Sequence, residues 1–391
     1  MRRLLLLGST VVFLDVVFYT AITPLLPGYV DDLGLSKGAA GVLSAAYAAG
    51  TLAASLPAGF MAARVGPRRT LLCGLLLLGL SSLVFGFGQQ VVLLDAARFV
   101  QGVAGALAWA GALTWLIRAT PENRRGSTIG DVLGIAIAGA LLGPGVGALA
   151  AEVGTEFVFS SVLVLTVALS LATLRIPEPG RGEQHRLREV GQAIVSPSVL
   201  RATWYVAAPS AMFGVIEVLI PLQIDELGGG AGLVAAGFMA GAGLEAMLAP
   251  MVGRLSDRVG RLRPYTTGML ICAAAIALVP AAGALGVILG VLIASSLGAG
   301  LCFAPALAML SDSADATGLH QGFAAGLINV AWASGQVLGG AGGGAAASRA
   351  GDALPCLLAA ALLLATVGAA RRTGIGTPKR IPPREAPAPD V

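Results

Sequence analysis

The chain has 391 residues, of which 56% are hydrophobic and only 12% are charged, and its net charge is +4. A soluble domain carries about 25% charged residues, so this composition excludes an ordinary soluble globular protein. Nucleic-acid binding is disfavoured as well, because the basic residues punctuate apolar segments and form no continuous basic face.

Apolar runs long enough to cross a bilayer as helices follow one another along the chain. The first begins with a basic pair and a run of leucines, as a secretory signal does, but it continues past Asp15 without a clear cleavage site and predicts a membrane helix. Six runs are predicted before a polar stretch, at residues 4–29, 38–62, 70–88, 91–117, 127–150 and 157–174. Six more follow it, at residues 202–224, 231–252, 265–283, 286–309, 321–347 and 354–370.

The predicted fold is therefore an all-α integral membrane protein with twelve transmembrane helices in two pseudo-symmetric six-helix bundles. The bundles comprise residues 1–174 and 202–370, and a cytoplasmic linker at 175–201 joins them. A tail at 371–391, rich in proline and arginine, is predicted to be disordered. The four cysteines fall inside apolar runs without metal-ligand spacing, so no metal or other cofactor is expected.

The arginines predict the orientation. With the N-terminus inside, 22 of the 25 basic residues fall on cytoplasmic segments; Lys37 and Arg349 lie outside, and Arg98 lies within a helix. Cytoplasmic loops carry the excess of Lys and Arg in membrane proteins. Both termini are therefore predicted to be cytoplasmic, in an inner (plasma) membrane of bacterial type.

Two short arginine-rich segments between apolar runs suggest an internal duplication. A shift of 194 residues carries Gly59, Arg64, Gly66 and Arg69 onto Gly253, Arg258, Gly260 and Arg263. A shift of 196 carries five glycines of the fifth predicted helix, among them Gly139, Gly143 and Gly147, onto Gly335, Gly339 and Gly343 and two others. We interpret the two halves as copies in parallel orientation.

These motifs resemble the major facilitator superfamily, and within it the twelve-helix drug:proton antiporters, over essentially the whole chain. The segment from Gly253 to Arg263, with Asp257 and Arg261, is similar to the family's loop motif G-x-L-a-D-R-x-G-R-[RK]. The first copy departs from it, since Ala63 and Pro67 replace the usual acidic and basic residues. The resemblance implies that both segments are gating loops, and that the acidic residue missing from the first copy latches the halves in the outward-facing state.

Two further motifs lie in the fourth and fifth predicted helices. The fourth has Arg98, Gln101 and Gly102, similar to the family's R-x-x-Q-G, and the fifth has the G-x-x-x-G-P-x-x-G pattern that in the family marks exporters more than importers. The residues of that pattern are Gly139, Gly143, Pro144 and Gly147. Its glycine stripe is expected to pack closely against the eighth helix and seal a leak path, with a kink at Pro144.

Charges at bilayer depth are costly, by about 2.5–3.5 kcal/mol or more, and are functional candidates by default. Asp15, Glu217 and Glu245 are the candidates for proton coupling, because a carboxylate in an apolar cavity can exchange between neutral and charged forms near pH 7. Arg98 keeps its proton, so its expected role there is electrostatic. The alternative is an ion pair or hydrogen-bonded cluster that only fixes helix packing, which is favoured for Asp131. Asp95, one turn from Arg98, is a possible neutralising partner.

The resemblance implies that helices 1, 4, 7 and 10 line a central cavity. The residues expected to contact substrate are Asp15, Tyr19, Arg98, Gln101, Trp109, Phe213 and Glu217. His185 and His320 lie in polar connections and are not expected to carry protons.

The predicted function is a proton-coupled exporter of amphipathic organic compounds such as drugs or secondary metabolites, working by alternating access. Its expected partners are a small-molecule substrate, protons and the lipid bilayer, with no nucleic acid, and it is expected to function as a monomer. Two alternatives remain: a proton-driven importer of a small organic solute on the same fold, and a membrane sensor that transports nothing. An enzyme is not expected, since the sequence has no metal cluster, nucleophile–histidine pair or phosphate-binding loop.

Overall fold

The computed structural model describes residues 2–121, 124–177, 195–317 and 321–373, and these residues form helices without any strand. The first half contains α1 (Arg2–Thr20), α2 (Leu26–Leu33), α3 (Lys37–Arg64), α4 (Pro67–Phe87), α5 (Val91–Ala119), α6 (Arg125–Val153) and α7 (Thr155–Leu174). The second half contains α8 (Pro197–Glu226), α9 (Ala231–Val259), α10 (Leu262–Leu278), α11 (Leu285–Ala316), α12 (Gln321–Val337), α13 (Gly343–Ala350) and α14 (Ala353–Thr373).

Eleven of the described segments are long and apolar enough to cross a membrane. A twelfth crossing is made by α12 and α13, which a π-helical segment at Leu338–Gly342 joins into one interrupted helix. The all-α membrane fold predicted from the apolar runs is confirmed. Helices of each half pack mainly on one another, as α3 does on α5 and α10 on α11.

The first crossing differs from its prediction. Instead of one helix over 4–29, α1 ends at Thr20 and a 3₁₀ turn at Thr23–Leu25 leads into α2. Pro24 lies in that turn, and proline has no N–H for a helical hydrogen bond. Gly34, with φ of 61°, then ends α2 in the left-handed conformation that glycine adopts readily.

The polar linker is shorter than predicted at its C-terminal end, because α8 begins at Pro197 rather than at residue 202. The side chain of Ser196 accepts a hydrogen bond from the backbone N–H of Val199, and proline suits the first helical position. The rest of the predicted linker at 178–194, with His185, lies outside the described residues, as do His320 and the tail from residue 374. Helix α14 continues to Thr373, three residues past the predicted end.

The two arginine-rich segments are mostly helical rather than loops. Helix α3 runs to Arg64 and α4 starts at Pro67, while α9 runs to Val259 and α10 starts at Leu262. Nothing in either segment breaks the helix until a glycine does: Gly66 has φ of 110° and Gly260 has φ of 85°. Each predicted loop is therefore a two-residue turn between helix ends.

Backbone geometry repeats between the halves. Among the described residues, the glycines with positive φ form three pairs at nearly constant spacing: Gly34 with Gly228, Gly66 with Gly260, and Gly154 with Gly351. The spacings are 194, 194 and 197 residues, which agree to within one residue with the shifts of 194 and 196 that align the sequence motifs. The same turns thus end equivalent helices in both halves.

The glycine stripe of α6 contacts a different helix from the one predicted. Gly139, Gly143 and Gly147 lie against the backbone of the first crossing, at Phe13, Val17 and Ala21, and not against α9. In the second half, Gly335, Gly339 and Gly343 lie in the same way against α8, at Ala207, Ala211 and Val215. Helix α6 does touch α9, but through a different face that places Gly145 beside Met239.

The halves meet closely on the side opposite the arginine-rich turns. There α3 contacts α12, the π-helical segment and α13, and Lys37 forms ion pairs with Glu226 and Asp352. These helix contacts and ion pairs close the structure on the arginine-poor side.

Candidate functional site

A polar cluster of buried and partly buried side chains lies where the two halves meet in the middle of the membrane helices. We call it the central cluster, and it comprises Asp15, Tyr19, Tyr47, Arg98, Trp109, Glu217 and Gln336. Four helices of the first and second halves supply most of it: α1, α3, α5 and α8. Gln336 comes from α12.

Asp15 is held by residues of its own half. Its side chain is 1% exposed, and its Oδ2 accepts hydrogen bonds from the hydroxyl of Tyr47 at 2.8 Å and from Nε1 of Trp109 at 3.0 Å. Oδ1 is buried without a hydrogen-bond partner among the described residues. Gly105 leaves space for this carboxylate, since a Cβ at that position would lie 2.7 Å from Oδ1.

Glu217 is held from both halves. The hydroxyl of Tyr19, from the first half, lies 3.1 and 3.3 Å from its two carboxylate oxygens. Nε2 of Gln336 donates to Glu217 at 3.2 Å and to the Tyr19 hydroxyl at 3.0 Å. These three side chains form a triangle of hydrogen bonds, so the position of Glu217 depends on both halves staying in contact.

Arg98 is fully buried and is bound mainly to backbone oxygens. Its guanidinium donates to the carbonyls of Phe18 and Tyr19 at 3.1 and 3.0 Å, and to Oε1 of Gln101 at 3.0 Å. Gln101 in turn donates to Ser82. The possible partner Asp95 makes no hydrogen bond or ion pair with Arg98 among the described contacts. Gln101 thus orients Arg98 and is itself buried.

Aromatic rings connect the two carboxylates. The rings of Tyr19 and Tyr47 lie 4.7 Å apart between centroids, and the Arg98 guanidinium lies 5.9 and 5.2 Å from them, within the range of cation–π attraction. Trp332 packs edge-on against Tyr19 at 5.2 Å. Asp15 and Tyr19 stand one helical turn apart on α1, so the carboxylates occupy two successive levels.

Two other candidates lie at the margin of this cluster. Glu245, on α9, is partly exposed, makes no hydrogen bond among the described contacts, and lies within electrostatic range of Glu217. Phe213 is partly exposed one turn before Glu217 on α8, with Phe303 of α11 at 6.0 Å. Asp131, by contrast, is exposed near the start of α6. The structure thus brings Asp15, Tyr19, Arg98 and Trp109 into contact with one another or shared partners, and sets Glu245 apart.

The predicted gating residues lie at the helix ends of the arginine-rich side. Arg64, Arg69, Asp257 and Arg258 are exposed there. Arg261 forms an ion pair with Asp312 at the far end of α11, within its own half. Gly59 and Gly253 face open space, and Gly66 and Gly260 supply the turns described above.

Sequence reasoning missed Tyr47 and Gln336. Both are uncharged, and within an apolar run only a charged side chain stands out by its cost at bilayer depth. A tyrosine hydroxyl or an amide inside a membrane helix also needs a partner, so scanning the apolar runs for such groups would have singled them out.

Comparison with models of protein families gives a match over nearly the whole chain. The family model described as Major Facilitator Superfamily matches residues 8–340 and, in a second overlapping match, residues 206–388.

Among curated proteins, the chain is similar to bacterial resistance proteins. It is 27% identical over 210 residues to Multidrug resistance protein 1 of Bacillus subtilis (strain 168), which is 52% of this chain and 54% of that protein. It is 28% identical over 160 residues to Quinolone resistance protein NorA of Staphylococcus aureus (strain N315), which is 40% of this chain and 41% of that protein. The chain therefore spans about half the length, or less, of the curated relatives it matches.

Solved structures resemble the protein over almost all of its length. A bacterial homologue of the human lysosomal transporter Spinster, inward-facing and unoccupied, has a TM-score of 0.77 at 13% identity, covering 95% of this chain and 96% of that one. A D-xylose–proton symporter has a TM-score of 0.70 at 16% identity, covering 94% and 96%. At these identities the likeness shows the fold alone.

Proposed function

The chain belongs to the major facilitator superfamily, and we propose that it is a proton-coupled exporter of amphipathic organic compounds in the plasma membrane. Members of the family are carriers rather than enzymes, and the chain has the family's multi-pass membrane architecture. The proposal adds three statements to this: that transport is outward, that protons drive it, and that the central cluster carries both the proton and the substrate contact.

The triangle formed by Glu217, Tyr19 and Gln336 is the observation that carries the proposal. The central cluster holds two carboxyl groups, Asp15 and Glu217, and one permanent cation, Arg98. With both carboxyl groups ionised, one negative charge at bilayer depth would stay unbalanced, and that charge is costly unless a proton or a cation neutralises it. A proton and a cationic or polar substrate would then compete for the same group. Since Tyr19 and Glu217 come from opposite halves, that competition would also change the contact between the halves.

Alternating access would follow from rocking the halves, residues 1–174 and 202–370, about this cluster. We assign the arginine-rich side and both termini to the cytoplasm, and we propose that the form described here, with its halves in contact on the opposite side, is the inward-facing one. The ends of the arginine-rich segments, at Gly59–Arg69 and Gly253–Arg263, would then close when the protein turns outward. Transport by this mechanism would require no cofactor and no second copy of the chain.

The substrate is proposed to be an amphipathic compound that contacts both acidic and aromatic groups. Tyr19, Trp109 and Phe213 present partly exposed rings near Asp15 and Glu217. The relatives named for multidrug and quinolone resistance support this choice, as does the glycine and proline pattern at Gly139–Gly147.

The proposal can be tested in everted membrane vesicles with ethidium as the probe. An acidic lumen should drive ethidium into vesicles that contain the protein, and a protonophore should abolish that uptake. Asp15→Asn and Glu217→Gln keep the shape of the side chain but remove its titration, and we expect at least one of them to abolish driven uptake. Asp131→Asn, at an exposed position, is the control and should transport normally.

Uptake that survives both substitutions would contradict the role of the central cluster and point to Glu245. A gradient that drives ethidium in the opposite direction would instead identify a proton-driven importer. Binding of ethidium without any transport would identify a sensor.

A further inference from the structure

We propose that Lys37, with Glu226 and Asp352, forms an electrostatic latch that holds the outer ends of the two halves together and thereby favours the inward-facing form. The assignment of this side as outer rests on the proposed function. The latch itself rests on contacts between the halves and is independent of proton coupling.

The latch joins three helix ends that belong to different halves. Lys37 is the first residue of α3, Glu226 is the last residue of α8, and Asp352 lies just before α14. Nζ of Lys37 lies 3.0 and 2.8 Å from the two oxygens of Asp352 and 3.1 Å from Oε1 of Glu226. An ammonium group has three N–H donors, and these three oxygens account for all of them.

The latch is partly shielded from water. The side chains of Lys37 and Asp352 are 28% and 24% exposed, whereas Glu226, at 59%, is at the rim. Exposed ion pairs contribute little to stability, but pairs with two carboxylates on one ammonium and reduced exposure contribute more. Asp352 is therefore the principal partner.

Close contacts between the two halves lie beside the latch. The N–H of Gly38 donates to Oγ of Ser348 at 2.6 Å, one residue along from Lys37. One turn further, Gly41 lies against Gly340 and Gly344 so closely that neither half has room for a Cβ. If the halves part on this side, these contacts and the ion pairs must break together. The ion pairs therefore stabilise the form closed on this side and not the form open there, which is the condition for shifting the equilibrium between them.

Arg349 provides a matched control. It is the other basic residue predicted on this side, it is exposed, and its described hydrogen bond goes to the carbonyl of Ala345 on its own helix. Arg349→Gln and Lys37→Gln change the net charge by the same amount. The hydrogen bond that Arg349→Gln removes lies within one helix and does not join the halves.

Distance measurements between spin labels test the latch in the full chain. The background is Cys73→Ser, which removes the exposed native cysteine. The outer pair of labels replaces Asp32 and Ala350, and the inner pair replaces Val65 and Val259; all four positions are exposed. In reconstituted protein, Lys37→Gln should raise the ratio of outward-open to inward-open molecules roughly three- to tenfold, lengthening the outer distance and shortening the inner one.

Arg349→Gln should leave both distances unchanged, and the exchange K37D/D352K should recover most of the closed population. A shift smaller than about twofold in Lys37→Gln, or an equal shift in Arg349→Gln, would overturn the proposal. Failure of the proposed function would look different. If the arginine-rich side faced outward, Lys37→Gln would still change both label distances. However, thiol reagents that do not cross membranes would then react from outside with cysteines introduced at Val65 and Val259.

Discussion

Asp15 is a buried and Glu217 a partly buried carboxyl group of the membrane helices, and their hydrogen-bond partners lie in different parts of the protein. Asp15 is bound by Tyr47 and Trp109 of its own half, whereas Glu217 is bound by Tyr19 across the interface between the halves. Protonation of Glu217 therefore bears on how the halves are held, and protonation of Asp15 bears on the shape of one half. We expect the coupling of protons to rocking to depend on Glu217.

Removing single hydroxyl groups separates these two roles. Tyr19→Phe removes this hydrogen bond between the halves but keeps the ring that packs on Tyr47. We expect proton-driven efflux to fall by up to about tenfold, because an ordinary hydrogen bond is worth about 0.5–1.5 kcal/mol. Tyr47→Phe should instead weaken substrate affinity through Asp15. Tyr265→Phe is the control, because that hydroxyl is buried without a partner among the described residues. Equal effects in all three variants would argue against a specific role for Tyr19.

We expect Arg98 to stabilise the folded protein in addition to its role in the central cluster. Arg98→Lys keeps the charge but loses the planar group that reaches the carbonyls of Phe18 and Tyr19 together. Unfilled buried hydrogen-bond partners cost about 1–3 kcal/mol each, so the purified protein should melt several degrees lower. Arg118→Lys, at the end of the same helix, should melt as the unmodified protein does. A normal melting temperature in Arg98→Lys would contradict the structural role.

At the scale of the helices, the glycine stripes are contact surfaces within each half. A run of glycines four residues apart predicts that another backbone approaches closely, but it does not say which helix does so. That is why the predicted packing of α6 against α9 is present but the predicted contact of the glycine stripe was wrong. The stripe faces α1, and a separate face of α6 meets α9. The equivalent stripe in the second half makes the equivalent contact with α8.

A methyl group tests this assignment. Gly143→Ala would place a Cβ 2.5 Å from the carbonyl of Val17 and against the Thr20 side chain, so overpacking should cost about 1–3 kcal/mol and lower the yield of folded protein. Gly134→Ala lies on the same helix where nothing is within 4 Å, and it should be tolerated. Thermal melting in detergent gives the comparison, and equal stability of the two variants would contradict the contact with the first crossing.

The sequence was sufficient to predict most of the helices, because bilayer thickness demands long apolar runs and arginines interrupt them. It was insufficient at Pro24 and Ser196, where local turn and capping geometry moved the helix ends. Within the site, the charged residues were identifiable because charge is rare in membranes. Their partners were not, since Gln336 lies 119 residues from Glu217 and only the packing of helices brings them together.

At the scale of the whole molecule, two contacts between the halves have different proposed roles. The latch at Lys37 closes the outer side, and the triangle at Glu217 links the halves in the middle. The first copy of the arginine-rich segment lacks the acidic residue that the family usually has there, since Ala63 occupies its place. With an outer latch and without that residue inside, we expect the resting protein to be mostly inward-facing.

Proton release on substrate binding is the measurement that tests the central claim most directly. Purified protein in weakly buffered detergent solution would be mixed with whichever of ethidium, rhodamine 6G or tetraphenylphosphonium binds it, and the pH followed. We predict that binding releases protons, and that Glu217→Gln reduces the release while Asp131→Asn does not. Tight binding with no proton release from the unmodified protein would contradict competition between proton and substrate, and with it the proposal that this carrier is a proton antiporter.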